Sequence, residues 1–510
     1  MNEQETRLEK LINLRKAGID PFPTKAWGSR QDIFDIRSEV AESLKKPESR
    51  DDKERTAAGR IRSIRGQGAI MFVDLQDGTG RIQVLFKKEI LAEKFDQFVK
   101  FIDTADCIQV RGFLFITKRG ELTIEATDWN ILVKSILPLP DKWSGLEDTE
   151  KRFRERYLDM LANPEVRDRL ITRGKILNLI RRYLTDRGFI EAETPSLQPI
   201  YGGGFAKPFI THHNALDIDL YLRISSEMYL KRLIAGGIDK VFEFSRIYRN
   251  EGVDLSHNPE FTMLEAQVAW VDYKFMMELT EDIFEHIANE LFGSTKIKYQ
   301  DLEIEMKKPW KQITMKDAVK EVCQVDMDSL KTIEEARASA IKLGLDKSEI
   351  EKMNSIGLII AYIFEEKVEE TLIQPTIIYE YPIETSPLAK KVPTDPRFVE
   401  RFEIFIAGRE RGNNYTELND PIDLRQRFVD EKDREKAGFD EAHQTDWDYL
   451  KMVEHGMPPN SGLGIGIDRL IMLFTDTNSI KEVIAFPTMK PLTRTDTNRT
   501  DSTQTVATKK

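Results

Sequence analysis

The stretch FSRIYRNEGVDLSHNPEFTMLEAQVAWVDY, residues 244–273, decides how the chain is read. It opens apolar and is polar and charged from Arg246 to Glu260. It then alternates: Phe261, Met263, Glu265, Gln267 and Ala269 fall on one face of a strand, and Thr262, Leu264, Ala266, Val268 and Trp270 on the other. The pattern predicts two antiparallel strands joined by a long loop. That loop carries two charged pairs, Arg249 with Glu251 and His257 with Glu260. A loop of this length inside a compact domain is functional or disordered. The flanking strands are too apolar for disorder, so the loop is expected to form a site.

Working outward, 510 residues are enough for two or three domains, and 40% apolar with 32% charged residues suits a globular core. No apolar run reaches the length of a membrane span, and the start MNEQETRLEK is too charged for a signal peptide. Cys107 and Cys323 form no CxxC pair, which indicates neither a disulfide framework nor a cysteine zinc site. A cytoplasmic protein is expected. The net charge of −11 argues against nucleic acid, but the charge is uneven. Between Arg55 and Lys88 seven Lys/Arg face only Asp74 and Asp77, a local patch able to hold an anion.

Residues 1–55 read as an N-terminal helical extension, with Leu8, Leu11, Ile12 and Leu14 on one side of a helix over 2–20. Residues 56–140 read as five strands punctuated by glycines, with one helical pattern, EILAEKFDQFVKFI, after the third strand. This is the order of an OB-fold barrel, which binds oligonucleotides on one face. Phe72 and Gln83 fall on its second and third strands, where an aromatic can stack on a base and an amide can read a base edge. Either residue alone is equally at home as ordinary strand packing.

Residues 141–163 read as linker and helix, and 164–490 as a larger domain. Its pieces are a helix over 165–187 capped by Gly188, a short strand FIEAETP, and YGGGFAKPF with three consecutive glycines. Glycine there serves either close backbone approach to a small ligand or a flexible turn. A strand and helix follow, with Glu227 at their junction, and then a helix over 272–292. Residues 309–370 carry helical patterns only and read as an inserted helical subdomain without chemistry. Residues 491–510 are polar and read as a disordered tail. The fold class expected is α+β.

Glu403, Glu410 and Glu417 recur at intervals of seven. Glu403 and Glu410 can share one cavity only if the strand bends or ends at Gly408. Paired carboxylates beside phosphates hold Mg²⁺, although spacing alone favours a solvated acidic face. No Ser/His/Asp order suggests a nucleophile, and the six histidines show no metal-ligand spacing. SGLGIGIDRLIMLFTD has a GxGxG without the context of a dinucleotide site.

Together, GFIEAETP, IYRNEGVDLSHNPEFTMLE and GLGIGIDRL resemble motifs one, two and three of the class II aminoacyl-tRNA synthetases. THHNALDIDLYLRISSEMYLKRL, ETSPLAK and NNYTELNDP are similar to the lysyl branch rather than the aspartyl and asparaginyl ones, and the likeness covers roughly residues 56–490. The resemblance implies a mixed, mainly antiparallel sheet flanked by helices, and a homodimer built partly through motif one, where Pro195 sits. It implies an ATP-dependent ligase that makes lysyl-adenylate and charges tRNA(Lys), with Mg²⁺ as cofactor and no membrane partner. Arg249 would bind the α-phosphate and the lysine carboxylate. Glu251 and His257 would contact ATP, and Phe261 and Arg469 would sandwich adenine, making Arg249 and Arg469 the catalytic pair. Glu403 and Glu410 would hold the metal. Gly203 and Glu227 would take the α-amino group of lysine. Asn413 and Glu417 would take its side chain, with Glu417 facing the ε-ammonium and Glu265 close by. Phe72 and Gln83 would read the anticodon. Two residues after Glu265 the resemblance implies a tyrosine, and this chain has Gln267. Relatives charging aspartate or asparagine would set an Arg or Lys against the substrate side chain, where this chain offers Glu265 and Glu417.

Overall fold

The computed structural model describes residues 2–28, 30–41, 43–140, 146–204, 206–386, 388–436 and 446–492, with backbone alone for 430–436. The predicted linker at 141–145 and all but the first residues of the predicted disordered tail lie outside the described residues. The chain divides into two compact units, Met1–Glu147 and Asp148–Lys510.

In the first unit five strands close into a barrel: Arg50–Gln67, Ile70–Gln76, Arg81–Lys87, Cys107–Ile116 and Leu122–Val133. Pairs are antiparallel except the third and fifth strands, which run parallel. The helix Glu93–Phe101 lies between the third and fourth strands, as the pattern predicts. It points Phe95, Phe98 and Phe101 into the core. Two expectations change. The first strand starts at Arg50 rather than 56, because the polar run RDDKER finds partners on Cys107–Ile116 without any apolar alternation to announce it. The segment 1–55 is not a detached extension either: Leu14, Ile33, Ile36 and Val40 pack into the barrel core. At the closing end Lys134, fully buried, donates to Phe101 O, Asp103 Oδ2 and Asp106 Oδ2 at 2.6–2.8 Å. A buried ammonium persists because carboxylates and a carbonyl replace its water.

The second unit is built on a nine-stranded sheet. The predicted hairpin is present: Lys240–Tyr248 pairs antiparallel with Glu260–Ala269, from Tyr248 opposite Glu260 to Lys240 opposite Val268. Trp270 leaves the strand with φ of 68°. Beside this hairpin lie, in order, Asn460–Gly466, Glu410–Thr416, Asp395–Phe405 and Thr376–Pro382. Only Lys311–Thr314 and Ile190–Glu191 add in parallel. The sheet is thus mixed and mainly antiparallel. Helices Pro164–Thr185, Tyr273–Phe292 and Ile467–Phe474 supply one core with Phe242, Leu264, Ala266 and Ile465.

The predicted helical insertion, 309–370, is corrected at its start. Lys311–Thr314 forms an edge strand, and Thr314 then caps the helix Met315–Cys323 by accepting from Asp317 N. Four residues are too few for period 2 to stand out from a helical pattern. The helices that follow pack through Ile359, Ile360 and Ile363 onto Ile378, Phe398 and Phe405 of the sheet, so they belong to its core.

Candidate active site

The register of the central strands sets the site. Gly462 lies opposite Gln267 on one side and Tyr415 on the other, and Gly464 lies between Glu265 and Asn413. Residues paired across a sheet share a face. This register therefore brings Glu265, Gln267 and Asn413 to one face from two strands, over the glycines of the strand between them, which leave room. A cavity of about 500 Å³ opens there, reaching from Glu417 and Gln267 at one end to His257 and Arg469 at the other.

At the first end Gly203 approaches the strand–helix junction 225–227 so closely that a Cβ on it would sit 2.9 Å from Ser225 Oγ, and its φ is 81°. Glu227 opens the helix Glu227–Ala235 and accepts from Tyr415 Oη and from Lys231 one turn later. Lys231, fully buried, also lies 2.6 Å from Glu417 Oε2. Against the cost of burial, Glu227 and Glu417 hold the Lys231 ammonium well above the ordinary lysine range. One ammonium between two carboxylates leaves a deficit of positive charge. Burial, opposed by Lys231 and reinforced by the charge of Glu227, accordingly pushes Glu417 up to about 8. Glu417 Oε1 accepts from Gln267 Nε2 at 2.9 Å. Glu265 lines the cavity, but Ser225 Oγ and Ser226 N and Oγ take both its oxygens, so it secures the junction that presents Glu227. Asn413 accepts from Arg401 Nε at 3.2 Å.

At the other end Arg249 stands with its guanidinium 5.3 Å from the Phe261 ring centroid, and its Nε is buried without a hydrogen-bond partner. Burial pulls this guanidinium below its usual range, against Glu251, Glu265 and Glu410. His257 pairs with Asp254 (Nδ1 to Oδ2, 2.8 Å) and not with Glu260, which correctly falls on the return strand and faces Arg246 instead. The other ring nitrogen of His257 meets Arg469 Nη2 at 3.1 Å. Arg469 donates to Glu410 Oε2 at 3.2 Å, and its neighbour Asp468 anchors the helix by accepting from Thr262 N and Arg173.

The strand carrying Glu403 ends at Phe405, turns through Ala407 and Gly408 at positive φ, and returns at Glu410. That is the condition for both carboxylates to share a cavity, and they do. Glu403 accepts from Tyr381 Oη at 2.8 Å and from Arg401. Glu369, from the helical segment read as carrying no chemistry, lines the adjoining cavity with them. Burial together with the charges of Glu403 and Glu410 pushes Glu369 up to about 7.

The barrel brings its two candidates together. Asp74 pairs with Gln83 across the second and third strands. Phe72, two residues from Asp74, therefore shares the face of Gln83. Arg65 lies opposite Phe72 on the first strand. Both candidates are half-buried, and Gln83 Oε1 accepts from Thr123 Oγ1 at 3.0 Å.

The residues that the resemblance assigns to ATP, lysine and the metal in the second unit thus all line this cavity. Arg401 of this cavity, Tyr381 and Glu369 of the adjoining one, and Lys231 paired with Glu227 and Glu417 were not legible as parts of the site. Only Lys231 left a signal, standing four residues after Glu227 on a helix, the spacing of an ion pair.

A family model described as tRNA synthetases class II (D, K and N) matches residues 148–490, and one described as an OB-fold nucleic acid binding domain matches 56–132. The chain is 49% identical over 485 residues to the lysine–tRNA ligase of Thermoanaerobacter pseudethanolicus, covering 95% of each chain. It is 48% identical over 491 residues to that of Bacillus subtilis, covering 96% of this chain and 98% of the relative. To that of Staphylococcus haemolyticus it is 47% identical over 494 residues, covering 96% and 99%. The chain belongs to the class II tRNA synthetases and, within them, to the family of lysine–tRNA ligases.

Proposed function

We propose that the chain activates L-lysine with ATP to lysyl-adenylate and transfers the lysyl group to the 3′-terminal adenosine of tRNA(Lys). The charge pattern of the amino-acid end carries this reading. Two carboxylates, Glu227 and the buried Glu417, share one fixed cation, Lys231, and the buried Glu265 lies in the same cavity, held by Ser225 and Ser226. When ionised they leave two negative charges, matching the two ammonium groups of lysine. An aspartate or asparagine pocket needs the opposite sign at its far end.

In the first step a lysine carboxylate oxygen attacks the α-phosphorus and the bond to pyrophosphate breaks. No proton must be removed, so positioning and charge neutralisation supply the rate. Arg249 spans the lysine carboxylate and the α-phosphate, which gives its unpartnered Nε an acceptor. Phe261 and Arg469 hold adenine between them, with Glu251 and His257 on the nucleotide. Gly203 and Glu227 receive the α-ammonium, Glu417 supplies the charge for the side chain, and Asn413 borders it. In the second step the terminal ribose hydroxyl attacks the lysyl carbonyl, the bond from that carbonyl carbon to the phosphate oxygen breaks, and AMP leaves with its phosphate taking the hydroxyl proton. Phe72 and Gln83 on the barrel face contact the anticodon.

The residues present fit Mg²⁺. Glu403 and Glu410 bring carboxylate oxygens to one cavity, and burial, reinforced by their charges, raises Glu369 beside them. Among the described residues no three His, Cys, Asp or Glu side chains could hold a metal together. That suits a hard ion bound by two carboxylates plus phosphate oxygens. When bound, it neutralises charge on the phosphates.

The exposed apolar side chains Ile190, Leu197, Ile210, Leu216 and Ile218 support a homodimer, since such a patch seeks cover; a monomeric mass at micromolar concentration contradicts it. No helix among the described residues is long and apolar enough to cross a membrane, which is compatible with a cytoplasmic enzyme; fractionation of cells with the membranes contradicts that placement.

The test is amino-acid-dependent exchange of pyrophosphate into ATP. Exchange is expected with lysine and not with aspartate or asparagine, and the reverse preference overturns the reading. A pH series gives a second expectation. With Glu417 up at about 8 in the free protein, it is neutral below that pH and ionised above it. A cationic side chain favours the ionised form, so KM for lysine should fall on the order of tenfold between about pH 6.5 and 8.5, with proton release on binding at the lower pH. A flat KM across this window removes Glu417 as the titrating partner.

A further inference from the structure

Next to Glu410 stands a cation that no carboxylate balances. Glu410 pairs with Phe405 and Gly412 with Ile404, so Arg411 falls in a bulge with no partner on the strand Asp395–Phe405. Bulges re-aim side chains and gather beside active sites. Arg411 lines both the main cavity and the adjoining one, yet it is only 2% exposed. Its Nε donates to Ile406 O at 3.3 Å and its Nη1 to Arg469 O at 3.2 Å, while the Tyr299 ring centroid lies 5.4 Å from the guanidinium. Its Nη2 is buried without a hydrogen-bond partner. Among the described residues no carboxylate forms an ion pair with it: Glu410 is taken by Arg469, and Glu403 by Arg401. Burial pulls the guanidinium below its usual range; Tyr299 opposes this, and the charges of Arg409 and Arg469 add to it. Carbonyls solvate a buried cation but do not cancel its charge, and such a charge is costly until a counter-ion meets it.

We propose that Arg411 is a fixed positive charge for the triphosphate of ATP, and that this charge stands uncompensated in the ligand-free protein. This rests on the ATP-dependent reading above. Arg411 acts through space and through Arg469, whose carbonyl it holds, so it is a positioning residue rather than a catalytic one. Arg409, which donates to Ser256 Oγ at 2.6 Å, lines the adjoining cavity with it and adds a second cation that no carboxylate takes among the described residues. The ligand that balances this cluster is a polyanion, either the nucleoside triphosphate or pyrophosphate. In the low-dielectric interior its charge is felt without direct contact.

Arg411→Met removes the charge and keeps an unbranched side chain, and two readouts should move in opposite directions. In the free protein the unfolding midpoint should rise by about 2 °C, because apolar packing replaces an uncompensated buried cation. The further rise of that midpoint on adding ATP or pyrophosphate should shrink. KM for ATP in lysine-dependent exchange should increase on the order of tenfold, with KM for lysine within about threefold. If Arg411 serves only to tie the carbonyls of Ile406 and Arg469 together, the free protein loses midpoint, the nucleotide effect and KM for ATP stay as in wild type, and the proposal is overturned. Should the methionine variant not fold, Arg411→Lys and Arg411→Gln decide the point, since one keeps the charge and the other keeps only a hydrogen-bond donor. KM for ATP should stay within about threefold of wild type in Arg411→Lys and rise about tenfold in Arg411→Gln, and equal values in the two overturn the proposal. Absence of lysine exchange in the wild-type protein would instead strike the functional reading itself.

Discussion

Replacing Arg249 by alanine is expected to lower lysine-dependent pyrophosphate exchange by about 10³-fold while the protein stays folded. The side chain lines the cavity with its guanidinium 5.3 Å from the Phe261 ring centroid, and its Nε has no protein hydrogen-bond partner. Its structural contribution is therefore small. The loop is held without it: Arg249 N donates to Pro259 O at 2.9 Å, and Asp254 gathers Ser256 N and His257 N. Burial works against the guanidinium charge in the absence of ligand. That cost is recovered when two anions, the lysine carboxylate and the α-phosphate, meet it in a site shielded from water. The expected result is a collapse of kcat/KM with an unchanged thermal unfolding curve. Exchange within tenfold of wild type would mean that another cation neutralises the reacting phosphate.

Glu417→Gln is the second large effect, and its signature is selective. KM for lysine should rise about 10²-fold and KM for ATP should stay within about threefold. The carboxylate is 1% exposed and supplies one of the two negative charges that the substrate's ammonium groups require. A neutral amide leaves a buried ammonium without its counter-charge, a loss of about 3–5 kcal/mol when complete. Lys231 keeps Glu227 in the variant, so the whole penalty does not reach the folded state, and the unfolding midpoint should fall only modestly. Ornithine should be discriminated against only modestly by both proteins, because one methylene is worth only about 1–3 kcal/mol. A variant that used lysine as well as wild type would separate Glu417 from the amino-acid pocket altogether.

Much of this site was legible before any coordinates. The hairpin at 240–269 announced itself by alternation, and the loop between its strands by length and charge. The barrel showed through five strand patterns and one helix in a diagnostic order. The condition that Gly408 must end a strand for Glu403 and Glu410 to meet came from period-2 geometry alone. The errors were also physical. Arg50, Glu54 and Arg55 pair across an irregular register through backbone groups, which no side-chain pattern reports. Lys311–Thr314 is an edge strand of four residues, too short to display its period. The pairing of His257 with Asp254 rather than Glu260 depends on a turn whose backbone amides Asp254 itself collects.

The chain's own order of residues determined the elements, the family, and which side chains carry charge near the site. The tertiary structure alone decided which charges cancel. Lys231 could be paired with Glu227 from the helix repeat. Its second partner, Glu417, arrives only because Glu410–Thr416 and Glu260–Ala269 flank the same glycine-bearing strand. That register sets Gln267 against Glu417 over Gly462, gives Glu417 Oε1 the Gln267 amide as donor, and places Oε2 beside the Lys231 ammonium. Local sequence records burial and periodicity. The direction in which a buried hydrogen bond points is fixed by every partner around it, and those partners, Lys231 on a helix, Gln267 and Gly462 on two strands and Glu417 just past a third, lie far apart in the chain.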